Sequence, residues 1–212
     1  MDLERRRKQN LTSPRQDARE VTPSIRSFAL AIDRQRQGLE RIPVLQASRR
    51  DLIEVCTALD EAEVAAVAIS IDEPQAELGR MQEAARSISV PLLRTDLLLE
   101  EFQIYESRAA GADAVLLRAG AVPFEILARM AQAAKGTHMA ACIACASAAE
   151  IDQVAPLQPA VIALPPSLIG LKIPPRMLVL ALEYGEGLHG RADAALDETL
   201  DSADAFRRTL ET

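Results

Sequence analysis

Lysine is nearly absent from this chain of 212 residues: Lys8, Lys135 and Lys172 are all there are among 24 basic residues, so arginine carries most of the positive charge. Cysteine is as scarce. Cys56, Cys142 and Cys145 are too few to form a disulfide framework in a chain this long, which fits a reducing compartment and leads us to expect a cytoplasmic protein. Cys142 and Cys145 make a C-x-x-C, yet no second cysteine pair or neighbouring histidine pair completes a zinc set. Residues three apart on a strand point to opposite faces, so both read as small buried strand residues, and no metal is expected. Long apolar runs are missing too, and Met1 to Asn10 is charged with no apolar stretch behind it, so neither a membrane span nor a secretory signal is read. A net charge of −7 and a pI near 5.0 argue against a nucleic-acid-binding protein. The one basic run, Arg5-Arg6-Arg7-Lys8, reads as a solvated, mobile terminus. The glycines form no dinucleotide fingerprint, and no cofactor is expected.

What is present is a chain 49% hydrophobic and 26% charged, enough for one substantial core. We expect a single domain over residues 23–212 and an extension over residues 1–22 that is disordered or loosely helical. The most readable stretch is Pro91 to Leu117. A short apolar run ends at Leu93, a helix begins near Glu100 and stops at Gly111, and Ala112 to Leu117 is again apolar over the length of a strand. This is a β-α-β unit, whose crossover helix requires parallel strands covered on both faces.

The same alternation extends in both directions. Strands are expected at Ile42–Ala47, Val64–Ile71, Met139–Cys145, Ala160–Leu164 and Met177–Leu182, and helices through Leu52–Leu59, from Pro74, from Pro123 to Gly136, and after the capping residue Ser147. Ile25, Phe28, Ala29 and Ile32 give an earlier helix an apolar face to cover one end of the fold. Repeated βα units with no Rossmann glycines point to a (β/α)8 TIM barrel. Such a barrel usually needs about 250 residues, so something must be short. The link PPSLIGLKIPPR between the sixth and seventh strands has four prolines and no room for a helix.

The stretch from Pro91 to Leu117 closely resembles the indole-3-glycerol-phosphate synthase family, above all in Gln103-Ile104-Tyr105, Arg108 and Gly111-Ala112-Asp113-Ala114. The resemblance implies a barrel that closes an indole ring on an anthranilate-derived ribulose phosphate, losing carbon dioxide and then water. It also places the eighth strand on Ala203–Phe206, leaving the final helix missing or vestigial and the barrel incomplete or loosely closed.

The family's reaction needs a general acid, a base and a cation on the substrate carboxylate. Position by position, the resemblance puts the first strand's Glu-x-Lys on Val44 and Gln46, and the third strand's lysine on Thr95. The fifth strand's glutamate falls on Ala144, and the sixth strand's Asn-Asn-Arg on Pro165, Pro166 and Ser167. Glu183 and Gly185 match the seventh strand's Glu-Ser-Gly, while Arg49 and Arg50 replace a Ser-Pro-Ser that helps hold phosphate. No catalytic residue is therefore assigned. Gln46, Thr95, Glu183 and Gly185 are the candidate ligand-binding residues.

Two readings stand. One is an inactive relative of the synthase that binds a phosphorylated small molecule or a protein partner. The other is a divergent synthase in tryptophan biosynthesis, or a phosphosugar lyase or isomerase using Glu183. An open, polar strand-end pocket would favour the enzyme, whereas one plugged by Val44, Ala144, Pro165 and other apolar groups would count against it.

Overall fold

The computed structural model describes residues 3–11, 21–34, 38–174 and 176–210. The expectation of disorder or loose helix at residues 1–2 and 12–20 lies outside them. Eight strands form one closed barrel: β1 Glu40–Gln46, β2 Val67–Ser70, β3 Leu92–Arg94, β4 Ala114–Arg118, β5 Ala140–Ala144, β6 Val161–Leu164, β7 Leu178–Ala181 and β8 Ala194–Asp197. Each pairs in parallel with the next, and β8 closes the ring on β1 with Ala194 opposite Glu40 and Asp197 opposite Pro43. The helices are α1 Leu3–Asn10, α2 Phe28–Ile32, α3 Leu52–Glu61, α4 Pro74–Ser87, α5 Phe102–Ala109, α6 Phe124–Gly136, α7 Ala148–Val154 and α8 Ala203–Leu210.

This is the TIM barrel expected, shortened where expected. The proline-rich link after β6 holds only a 3-10 turn, Pro166–Leu168, and the closing helix α8 has eight residues. Two expectations are corrected. Ala203–Phe206 is not the eighth strand but the start of α8, in which Phe206 is buried while Arg207 and Arg208 face solvent, an amphipathic pattern no buried strand would tolerate. With β8 at Ala194–Asp197 the barrel closes fully. Ile25 does not belong to the apolar face of α2: it precedes the helix and is 98% exposed, while Phe28 and Ile32 plug the amino end of the barrel against Ile42 and Ala68.

Strand alternation divides the core in two. Val67, Ile69, Leu92, Val115, Leu117, Ile143 and Ile162 face the helices, and Ile42, Ala68, Leu93, Ala114, Leu116, Cys142, Ala163 and Leu180 fill the barrel. Cys142 and Cys145 fall on opposite sides of that division, as the spacing predicts.

Two buried aspartates brace the amino ends of the strands. Asp113, just before β4, accepts from the Leu92 amide at 2.9 Å and from Ser24 Oγ at 2.6 Å, and is flanked by Arg26 and Arg108. Asp193, just before β8, accepts from the Val179 amide at 2.7 Å. Each holds an amide in the first two residues of the preceding strand, so Ala112-Asp113-Ala114 and Ala192-Asp193-Ala194 are the same device in the two halves of the barrel.

The placement of α8 is testable by denaturant unfolding. Phe206→Ala should lower stability by about 3 kcal/mol, and Arg208→Ala should stay within about 0.5 kcal/mol. Comparable losses at both positions would contradict an amphipathic helix there.

Candidate functional site at the barrel mouth

Inward-facing residues recur every second position, so the last inward residue of each strand opens on the carboxyl end of the barrel. Leu93 and Leu116 point into the barrel, and Thr95 and Arg118 follow them by two. Gln46 stands in the same relation to Val44, and Ser70 to Ala68. These residues meet in a cavity of about 610 Å³, floored by Val44, Leu116 and Leu196 and completed by Glu183 and Tyr184 after β7 and by Asp197, Glu198 and Thr199 at the end of β8. The mouth is open, and polar and apolar groups share its lining about equally. An adjoining cavity of about 520 Å³ shares Gln46, Ser70, Thr95 and Arg118 and is bounded by Leu3 of α1.

Three of the four candidate residues, Gln46, Thr95 and Glu183, line the first cavity, and Gly185 lies just outside its lining. Thr95 is nearly buried and donates from Oγ1 to the Ile69 carbonyl at 3.3 Å. Sequence reasoning missed Arg118, Ser70, Glu198 and Asp197. Continuing the alternation one residue past Leu117 would have exposed Arg118 as an inward cation. The β8 residues were hidden by misplacing that strand, although Ala192-Asp193-Ala194 repeats the marker that precedes β4.

Charges around the mouth divide into paired and unpaired. Asp197 is bridged by Arg41 at 2.6 Å and also accepts from the Thr199 amide and hydroxyl at 2.9 and 2.6 Å. Arg41 in turn lies 3.9 Å from the centre of the Tyr184 ring. Behind Thr95, Arg94 grips Asp96 through two hydrogen bonds of 2.8 and 3.0 Å and reaches Glu106 at 3.2 Å. Burial pushes the Glu106 carboxyl above its ordinary range against the pull of Arg94.

Arg6 completes that cluster from α1, and it overturns the reading of Arg5–Lys8 as a solvated run. Its side chain is 0% exposed and donates to Asp96 Oδ2 at 2.9 Å and to the Ile71 carbonyl at 2.7 Å. Helical spacing puts Asn10 on the same face, where it exchanges hydrogen bonds with Gln103 at 3.0 and 3.2 Å. The basic run therefore alternates between solvent and a polar seam along the barrel rim.

None of the three lysines lines either mouth cavity. Lys8 is on the outer side of α1, Lys172 is exposed in the link after β6, and Lys135 borders a pocket at the opposite end of the barrel with His138. His189 is exposed in the loop before β8. Among the described residues no cluster of three or more histidine, cysteine or acidic side chains could hold a metal ion. Burial raises the Cys56 and Cys145 thiols to about 12 and pushes Cys142 higher still, so all three stay protonated near neutrality.

A closed ring of eight parallel strands alternating with helices, with a cavity at its carboxyl end, is a (β/α)8 TIM barrel. The chain belongs to the indole-3-glycerol phosphate synthase family, whose model matches residues 3–165. It is 35% identical over 99 residues to the indole-3-glycerol phosphate synthase of Endomicrobium trichonymphae, a match covering 45% of this chain and 38% of that protein. To the synthase of Chlorobium phaeovibrioides it is 31% identical over 127 residues, covering 55% of this chain and 49% of that protein. The chain thus spans less than half the length of these curated relatives. Among solved structures, 2-keto-3-deoxy-6-phospho-gluconate aldolase from Zymomonas mobilis superposes with a TM-score of 0.64 over 87% of this chain and 94% of that one at 11% identity, a likeness of fold.

Two outcomes follow from this geometry. Asp96→Asn removes the carboxylate that buried Arg6 and Arg94 share, leaving Arg94 only Glu106, and should cost about 3–5 kcal/mol in urea unfolding; a loss under about 1 kcal/mol, the value of an exposed pair, would contradict the cluster. Native protein should resist a thiol-selective reagent at all three cysteines until denatured, and fast modification of Cys142 or Cys145 would refute their burial.

Proposed function

We propose that this chain is a ligand-binding or regulatory barrel of the synthase family that does not carry out indole ring closure. The observation that carries the reading is the composition of the mouth. Gln46 and Thr95 occupy the inward positions to which the resemblance assigns lysines, and no lysine lines the cavity from elsewhere. An ammonium group can give up a proton near neutral pH when its surroundings lower its pKa, whereas the guanidinium of Arg118 cannot. Glu183, Glu198 and Asp197 supply carboxylates to the cavity but no ammonium group, so the proton donors that the resemblance assigns to lysine are missing. In this reading residues 23–212 are the barrel and the stretch before them an extension, whose described helix α1 lies on the rim. The buried, protonated thiols fit the cytoplasm.

The open cavity around Glu183 favours one alternative over an inert scaffold. A divergent synthase serving tryptophan biosynthesis, or a lyase or isomerase acting on another phosphosugar, would use Glu183 as its base, with Gln46 and Thr95 positioning the substrate.

Expression in a tryptophan auxotroph lacking the synthase separates the two. The proposal expects no growth without tryptophan although folded protein accumulates. Growth that is lost in a Glu183→Gln variant would establish the alternative.

A further inference from the structure

Three charged groups on the wall of the mouth cavity have no ion pair or side-chain hydrogen bond among the described residues: Arg118, Glu183 and Glu198. The other carboxylate of that wall, Asp197, is neutralised by Arg41, and Asp96 at the adjoining cavity by Arg94 and Arg6. In an eight-membered ring, β4 stands across from β8, so Arg118 faces the side from which Glu183 and Glu198 project. The three are exposed at the opening of one cavity and do not pair with each other, so a molecule of the opposite charge pattern can bridge them. We propose that the mouth binds a small zwitterion, with its carboxylate on Arg118 and its ammonium group between Glu183 and Glu198. This inference rests on the mouth being a ligand site, as argued above, and goes further in naming the ligand's charge pattern.

The alternative of a phosphate ester is disfavoured by the same residues. TIM barrels that hold phosphate commonly do so with backbone amides after the seventh and eighth strands. Here the Tyr184 amide is committed to the Leu196 carbonyl at 2.8 Å and the Thr199 amide to Asp197 at 2.9 Å. A dianion would also meet two uncompensated glutamates and a single arginine. A monoanionic carboxylate needs only the one guanidinium, which it can engage through two parallel hydrogen bonds, while Ser70, Thr95 and Gln46 offer neutral partners alongside. The ammonium group satisfies the acidic side. A cavity of about 610 Å³ lies within the range that encloses small molecules.

Calorimetric titration of the full chain with β-alanine, γ-aminobutyrate, δ-aminovalerate and ε-aminocaproate tests this, because the series keeps both charged groups and lengthens their separation one methylene at a time. Binding should peak at one length, and butyrate and butylamine, each lacking one charge, should bind at least about tenfold more weakly. Arg118→Ala and the double variant Glu183→Gln/Glu198→Gln should each weaken the best zwitterion by about ten- to a hundredfold, with unchanged circular dichroism. The proposal is overturned if no member of the series binds, if inorganic phosphate or ribose 5-phosphate binds as well, or if the variants bind like the parent. Parallel incubation with the synthase substrate separates the two levels: indole product would sink the reading beneath, whereas no product and no zwitterion binding would sink only this inference.

Discussion

A strand side chain can point only into the barrel or out of it, and closing eight parallel strands sends every inward side chain at the carboxyl ends to one opening. Everything proposed about this protein depends on that constraint. It makes residues 46, 70, 95 and 118 neighbours although about seventy residues of chain separate the first from the last. It also means that a side chain one position away cannot substitute. Arg94 and Asp96 flank Thr95 in sequence, yet both are turned outward into the layer between strands and helices, where they hold each other. The chemistry open to the mouth is therefore set by a few alternate residues and two loops.

Arginine is the residue this structure uses for buried charge. Asp96, Asp113 and Asp197 are each held by one or more guanidinium groups, and the fork of donors suits the two oxygens of a carboxylate better than the point charge of an ammonium would. Such pairs fix strands and helices in register, and they leave the groups committed. Arg6 extends the same arrangement to the segment before the barrel, pinning α1 across the ends of β2 and β3. Arg118, by contrast, ends its strand with no ion pair or side-chain hydrogen bond among the described residues, which leaves it, and not the more numerous paired arginines, open to the cavity.

The sequence made the fold legible wherever hydrophobic period and length agreed. Pro91 to Leu117 could be read as strand, helix and strand because each apolar run had the right length and the helix ended at Gly111, whose φ of +91° few other residues would adopt. The eighth strand was not legible in the same way. Its four residues, Ala194–Asp197, are too short to establish a period, and the similar Ala203-Asp204-Ala205-Phe206 lay closer to where family spacing expects a strand. The arginines after Phe206 and the repeated Ala-Asp-Ala before β8 were the physical clues that favour the observed arrangement. The docking of α1 was hidden for a different reason. Its buried face is polar, so hydropathy gives no sign that Arg6 and Asn10 are inside. Gln46, Thr95 and Glu183, singled out by the family resemblance, line the cavity at the barrel mouth, while finding Arg118 there needed the alternation of its own strand.

The central claim is that the mouth, with Gln46 and Thr95 where the resemblance assigns lysines and no lysine from elsewhere, does not carry out the family's reaction. The most direct measurement is indole fluorescence from purified protein incubated with saturating carboxyphenylamino-deoxyribulose phosphate. The account predicts a trace indistinguishable from buffer over hours. Steady formation of the indole product, abolished by Glu183→Gln and retained in wild type after repurification, would contradict it.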